Sequence, residues 1–489
     1  MRHTEVTAHS SQLKFIPMKK LFNLIGLILL LAGCKTRNIH FTIPEQTLPV
    51  SFQRYADSTT IADMQWRDYF ADRHLVTLID TALTRNPDLN IALERIELAN
   101  AGLLNARAAL RPSVSGNISP ALRRYGLYTM DGAGNISTEI TPGKIVPTDL
   151  PDFYIGLQSS WEIDLWKKLS NRKNAAYSSF LASVEGARLV TTALISEIAL
   201  AYYELIALDN EQEVLSETIR NQEEVLDVIR YQKEAGRANE LVVQQFKAQQ
   251  LNTRTLEREV MLKISETENR INFLLGRYPQ PIERNKTLLF RDLPLEIATG
   301  IPSQMLLNRP DIRAANYQVQ ASRFDVKAAN AEFLPGLTLT AGLGYQAFNP
   351  KFLLQTPASL AYSLVGGLTA PLINKKAIEA RFSMAKSSQI IAMYTYQKAI
   401  LNGYTEVVNE LTRINALREI SDLKTVQSQV LEESVETSSQ LYASAKATYL
   451  EVLIAQQNAI QAKLEMVDSH KKQLMASIAI YKALGGGWK

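Results

Sequence analysis

The chain has 489 residues, of which 21% are charged, and a formal net charge of +4 with no dense basic block. That balance gives nucleic-acid binding no support, and a single cysteine excludes a disulfide framework or a cysteine-rich metal site. The five histidines are scattered, and no nucleophile–base pair, metal constellation or phosphate loop is visible, so neither enzyme activity nor a cofactor is expected.

From Met18 the chain reads MKKLFNLIGLILLLAGC. Lys19 and Lys20 form a charged region, followed by an apolar stretch, Leu21 to Leu31, too short to span a bilayer comfortably. Leu31-Ala32-Gly33-Cys34 then matches a bacterial lipobox, where small residues admit the signal peptidase and the Cys34 sulfur receives diacylglycerol. Residues 18–34 are therefore expected to be a lipoprotein signal peptide, with Met18 the expected start. Lys35 and the lack of an acidic run after Cys34 point to anchoring on the periplasmic face of an outer membrane.

The rest of the chain repeats itself. An ungapped offset of 223 places Pro87 on Pro310, Asp88 on Asp311, Ala106 on Ala329 and Pro112 on Pro335. An offset of 209 places Gly236 on Ala445, Leu241 on Leu450 and Gly276 on Gly485. Two tandem copies are expected, 35–278 and 306–489, joined by a linker at 279–305. The drop in offset assigns about 14 extra residues to copy one, and the polar stretch 124–150 is their expected home, as a hairpin loop.

Each copy opens a helix with Pro-Asp in its first turn, where proline lacks the unneeded N–H and aspartate favours the dipole. Strands follow, at roughly 112–124 and 152–164 in copy one and 335–348 and 359–372 in copy two. In FYIGLQSSWEIDLW (153–166) the side chains alternate: Phe153, Ile155, Leu157, Trp161 and Ile163 fall on one face, and Tyr154, Gly156, Gln158, Ser160 and Glu162 on the other. Leu339 and Leu343 alternate with Thr338, Thr340 and Gly342 in the same way. In a soluble sheet the apolar face would meet a core. In an outer-membrane barrel it would meet lipid, with Gln158, Glu162 and Thr340 towards water. Four strands cannot close a barrel, and an open edge in lipid leaves backbone groups unsatisfied, so the membrane reading requires several chains per barrel.

Two segments, 170–232 and roughly 375–443, contain no proline and one glycine each, Gly186 and Gly403. As a helix the first would be on the order of 95 Å long. A coiled-coil rod fits these segments taken alone. Their only breaks lie near 236 and 445.

Taken together, Leu31–Cys34, the helix ending at Pro112, Trp161-Glu162-Ile163-Asp164-Leu165-Trp166, Arg309-Pro310-Asp311-Ile312, Tyr449-Leu450-Glu451-Val452-Leu453 and Tyr481–Trp488 carry a specific likeness. The chain resembles the TolC-like outer-membrane efflux channels, and among them the lipoprotein subfamily that serves resistance-nodulation-division pumps. The resemblance covers essentially the whole mature chain. It implies a mixed α/β membrane channel: a homotrimer with a 12-stranded transmembrane β-barrel, four strands per chain, continued by a long periplasmic α-helical barrel. It also implies an equatorial belt drawn from residues near 40–65 and 279–305. The implied partners are membrane lipid, a periplasmic adaptor and an inner-membrane resistance-nodulation-division transporter.

By the same resemblance Tyr442 and Glu451 belong to the periplasmic gate, and three crowded Glu451 carboxylates would have raised pKa values. Gly236, Arg237, Ala238, Asn239, Ala445, Lys446, Ala447 and Thr448 form the adaptor-docking tips, and Ile155, Leu157, Trp161, Leu339 and Leu343 face lipid. Two positions depart from the family pattern: Lys167 and Ala445 stand where glycine is usual, and an altered local backbone is expected there. The function implied is passive conduction of small toxic compounds or drugs from a pump to the exterior. A duct for an ATP-driven protein exporter and a periplasmic coiled-coil scaffold lipoprotein remain as alternatives.

Overall fold

The computed structural model describes residues 47–52, 59–290, 298–371, 373 and 375–489. Cys34 and the rest of the lipobox lie outside the described residues. In chain order the main elements are α1 (Arg73–Arg85), α2 (Pro87–Ala108), β1 (Ser113–Arg124), α3 (Met130–Ser137), β2 (Glu139–Thr141), β3 (Lys144–Ile145), β4 (Asp149–Ile163), α4 (Lys168–Glu234), α5 (Glu240–Leu274), α6 (Pro310–Ala331), β5 (Gly336–Ala347), β6 (Leu360–Thr369), α7 (Lys375–Ala443) and α8 (Tyr449–Ala483). The element bounds repeat under the two sequence offsets. Adding 223 carries α2 onto α6 and β1 onto β5, and adding 209 carries α5 onto α8 and the end of α4 onto the end of α7.

The chain divides into two compact units. One holds Ala109–Asn171 and Asp325–Ala385. Its main feature is a four-stranded sheet in the order β1-β4-β5-β6, with every neighbouring pair antiparallel. Each repeat thus supplies one hairpin, and the hairpins meet at β4 and β5. The stretch expected as a plain loop between β1 and β4 is structured. It holds α3, whose N-cap Thr129 accepts from the Gly132 N–H at 3.1 Å, and a two-stranded ribbon of β2 and β3.

The other unit holds Gln46–Ala108, Arg172–Phe324 and Lys386–Lys489. Its largest core cluster includes Leu75, Ile79, Ile195, Ile198, Tyr202 and Leu275, all buried. The 67-residue α4 contains a window long and apolar enough to cross a membrane, but Ile195, Ile198, Tyr202 and Leu205 are interior core side chains here. Near the N-terminal side, Thr60 bridges to Thr299 and the Ile61 N–H donates to Ala298 O at 2.9 Å, tying the two segments expected in the belt to each other.

The repeats lock in matching ways within this unit. Asn86 Nδ2 donates to Leu274 O at 2.8 Å, and at the equivalent place Arg309 Nη1 donates to Ala483 O at 2.6 Å. Arg309 also pairs with Asp311 and Glu406, at 2.8 Å each. Beyond the two helix ends, Gly276 and Gly485 take positive φ, +63° and +93°. A Cβ on Gly276 would stand 2.5 Å from Arg85 O, and one on Gly485 2.6 Å from Asn308 O. Trp488 closes the region: its Nε1 donates to Asn308 O at 2.8 Å, and its ring lies under the guanidinium groups of Arg188 and Arg313.

Lys167 and Ala445 correct the expectation of altered geometry. Both keep the left-handed backbone, at φ +58° and +56°, although neither is glycine. A side chain there costs roughly 1–2 kcal/mol, which the surrounding hydrogen bonds override. Ala445→Gly should therefore stabilise the second hairpin by about 1 kcal/mol, seen as slower amide hydrogen exchange in Leu441–Ala447. Faster exchange there would contradict this account.

Candidate functional site

The sheet register sorts its side chains cleanly. Leu157 pairs with Gly116 and with Leu343, Ile155 with Ile118 and Tyr345, and Trp161 with Leu339. Val114, Ile118, Leu122, Leu360, Tyr362, Leu364 and Leu368 lie on this same apolar face by the alternation of their strands. Many of them are exposed in the single chain, Ile118 at 77% and Leu364 at 72%. Exposed apolar side chains this dense mark a surface meant for lipid or another partner. Along β4 the stretch from Phe153 to Trp161 is ~26 Å long, and both ends are aromatic, which suits the apolar band of an outer-membrane barrel.

The opposite face carries Ser115, Asn117, Ser119, Gln158, Ser160, Thr338, Thr340 and Ser363. A cavity of about 350 Å³ lies on it, lined by residues including Arg123, Asp152, Tyr154 and Gln346. Arg123 Nη2 is 3.1 Å from Asp152 Oδ2, and Gln346 Nε2 donates to Asp152 Oδ1 at 2.8 Å.

The Trp161–Trp166 motif turns strand into helix. Asp164 accepts from the Leu169 and Ser170 N–H groups at 2.9 and 2.8 Å, capping α4. Trp161 Nε1 donates to Leu110 O at 3.0 Å, and Trp166 Nε1 to Pro335 O at 2.8 Å. Glu162 forms an ion pair with Lys168.

The two helical tips share one hydrogen-bond pattern. Gly236 N donates to Lys233 O, and Arg237 N and Ala238 N to Gln232 O. Ala445 N donates to Tyr442 O, and Lys446 N and Ala447 N to Leu441 O. In each tip the last helical carbonyls are satisfied by a left-handed residue, a C-cap. Arg237 and Lys446 are exposed at equivalent positions, while Ala238 and Ala447 are half-buried. Asn239 caps α5 through Val242 N–H at 3.1 Å. The tips also pack together within one chain: Tyr449 and Leu453 lie against the buried cluster of Leu226, Ile229, Val242, Val243 and Phe246.

Tyr442 donates its hydroxyl to Gln232 Oε1 at 3.0 Å, linking the ends of α7 and α4. Glu451 is the third residue of α8, and its carboxylate accepts from the Thr448 N–H at 2.6 Å and hydroxyl at 2.9 Å. These bonds hold its pKa below the ordinary glutamate range within the chain, opposite in sign to the shift expected from crowding. Thr448-x-x-Glu451 is a capping box, a signal present in the sequence and overlooked there. Also overlooked were α1, whose Leu75, Leu78, Ile79 and Ala82 repeat at helical spacing after the N-cap Asp72, and the Asn86 and Arg309 locks.

The comparisons with known proteins decide the family. The family model described as outer membrane efflux protein matches residues 78–277 and 301–486. The chain belongs to the outer membrane efflux protein family. It is 30% identical over 437 residues to the pyoverdine export outer membrane protein OpmQ of Pseudomonas putida, covering 88% of this chain and 89% of the relative. It is 27% identical over 473 residues to the probable outer membrane lipoprotein SilC of Salmonella typhimurium, covering 95% and 98%. Among solved structures, the CmeC outer membrane channel of Campylobacter jejuni shares the fold, with a TM-score of 0.81 at 23% identity over 93% of this chain and 95% of that one. Family membership places the chain in the outer membrane as an efflux component.

Proposed function

We propose that three copies of this chain close one barrel and form the exit duct of a tripartite efflux system. The supporting observation is the sheet: four antiparallel strands, one apolar face, and β1 and β6 at its edges. With an even number of strands per chain, β6 of one copy runs antiparallel to β1 of the next, so copies can close the sheet without a mismatched seam. Two copies would give eight strands and three give twelve, and the family resemblance selects three. A periplasmic adaptor and an inner-membrane resistance-nodulation-division pump supply the other two parts. The duct conducts passively and carries no enzyme activity.

Relatives are named for pyoverdine export, cation efflux and solvent efflux. That breadth fits a wide lumen better than a selective pocket, and small toxic compounds are the proposed cargo class here. The gate is proposed at the tips, with the Tyr442–Gln232 bond holding the closed state and Glu451 near the mouth. Purified protein should conduct in planar bilayers, and Tyr442→Phe should raise its open probability several-fold. No conductance from the wild type would leave the scaffold reading standing instead. Cys34 is the proposed lipid anchor: a radioactive fatty acid should label the wild type and not Cys34→Ser, and equal labelling of both would remove that role.

A further inference from the structure

Among the described residues, the charged side chains that the strands place on the polar face of the sheet are Arg123, Asp152 and Glu162. Glu162 sits at one end of the face and is paired with Lys168. Arg123 and Asp152 sit at the other end, where β1 and β4 are joined by the segment carrying α3. No charged strand residue lies between these two levels of the face.

The pair is asymmetric. The Asp152 side chain is 14% exposed and that of Arg123 55%. The guanidinium therefore reaches open solvent while the carboxylate lies beneath it, held on its other oxygen by Gln346 at 2.8 Å. The two residues are diagonal neighbours across the β1–β4 pairing, since Ala121 is the residue directly opposite Asp152. An ion pair whose guanidinium is this open to solvent contributes little to stability, so its effect on the field around it is the more consequential property.

We propose that Asp152 sets the charge preference of the outer end of the duct, by cancelling Arg123 so that small polar solutes of either sign pass. This rests on the duct reading, in which three copies place three Arg123–Asp152 pairs around one wall. A ring of three uncompensated arginines would attract anions and repel cations, as charged rings do in selective pores. With each carboxylate about 3 Å from its guanidinium, the ring presents short dipoles whose field dies away within a few ångströms. Gln346 acts as a positioning residue, keeping the carboxylate under the guanidinium rather than free in the lumen.

The test is the reversal potential of single channels in a potassium chloride gradient, for wild type, Asp152→Asn, Arg123→Gln and the double variant. Asp152→Asn should lower the potassium-to-chloride permeability ratio by about threefold or more, and Arg123→Gln should raise it. The double variant, which loses the same contacts but restores neutrality, should return to the wild-type ratio. Single variants that conduct with the wild-type ratio overturn the proposal, as does a shift of the same sign in all three variants. A wild type that does not conduct overturns the duct reading and takes this proposal with it, so the two failures are told apart.

Discussion

Leu157→Arg should abolish the heat-stable assembly, whereas Gln158→Arg, one residue further on, should leave it intact. Leu157 lies between Gly116 and Leu343 in the middle of the apolar face, with Ile155 beside it on the same strand. An arginine on the lipid face near the bilayer midplane costs roughly 2–4 kcal/mol, and in the proposed trimer three copies would suffer it together. Gln158 stands between Ser115 and Gly342 on the polar face, where a longer side chain meets water and space. The measurement is the temperature at which membrane-extracted protein dissociates on a denaturing gel. Equal loss of the assembly in both variants would mean that the apolar face does not meet lipid.

Gly485→Ala should destabilise the chain by on the order of 3 kcal/mol, well beyond what the same change does at Gly236. Both glycines have positive φ, +93° and +71°, so both lose conformational ease when a Cβ is added. At Gly236 the new atom meets nothing within 4 Å, and roughly 1 kcal/mol is expected. At Gly485 it would stand 2.6 Å from both the carbonyl carbon and oxygen of Asn308 and 2.9 Å from Arg309 N. Those are backbone atoms at the start of α6, and Arg309 beside them is held by Asp311, Glu406 and Ala483 O. Neither side can give way cheaply. Denaturant unfolding of both variants tests the ranking, and a Gly236→Ala effect as large as that of Gly485→Ala would refute the close-approach argument.

The strands and the long helices were legible because their signals are local. Period-two alternation assigns the faces of β4 and β5, and uninterrupted runs without proline delimit α4 and α7. The repeat offsets were legible too, since α2 and α6 begin with the same Pro-Asp. The neighbour order β1-β4-β5-β6 was not, because pairing of β4 with β5 joins residues nearly two hundred positions apart, and nothing in either strand names its partner. The same holds for Arg309, whose sequence neighbours give no sign of Glu406 or Ala483. Lys167 and Ala445 misled for a different reason. Glycine propensity describes a residue in isolation, while the local turn and cap hydrogen bonds around both residues keep their backbones left-handed. The Glu451 cap was legible in Thr448-x-x-Glu451, since Thr followed three residues later by Glu at a helix start is a capping-box signature.

The two compact units differ in how much of their apolar surface a single chain can cover. The helical unit closes its own core within a single chain, with Leu75, Ile195, Ile198, Tyr202 and Leu275 all sealed from water. That cluster needs no second copy to be sealed, although Leu98, Phe273 and Leu423 of the same unit stay exposed. In the sheet, β1 and β6 are edge strands and the apolar face is exposed within one chain, so under the proposed trimer both find partners only when other copies and a bilayer are present. On that reading each newly made chain carries one sealed core cluster and one exposed sheet that invites aggregation. On the trimer reading, maturation of the strands is a concentration-dependent event, with its kinetics set by encounter rather than by the chain alone.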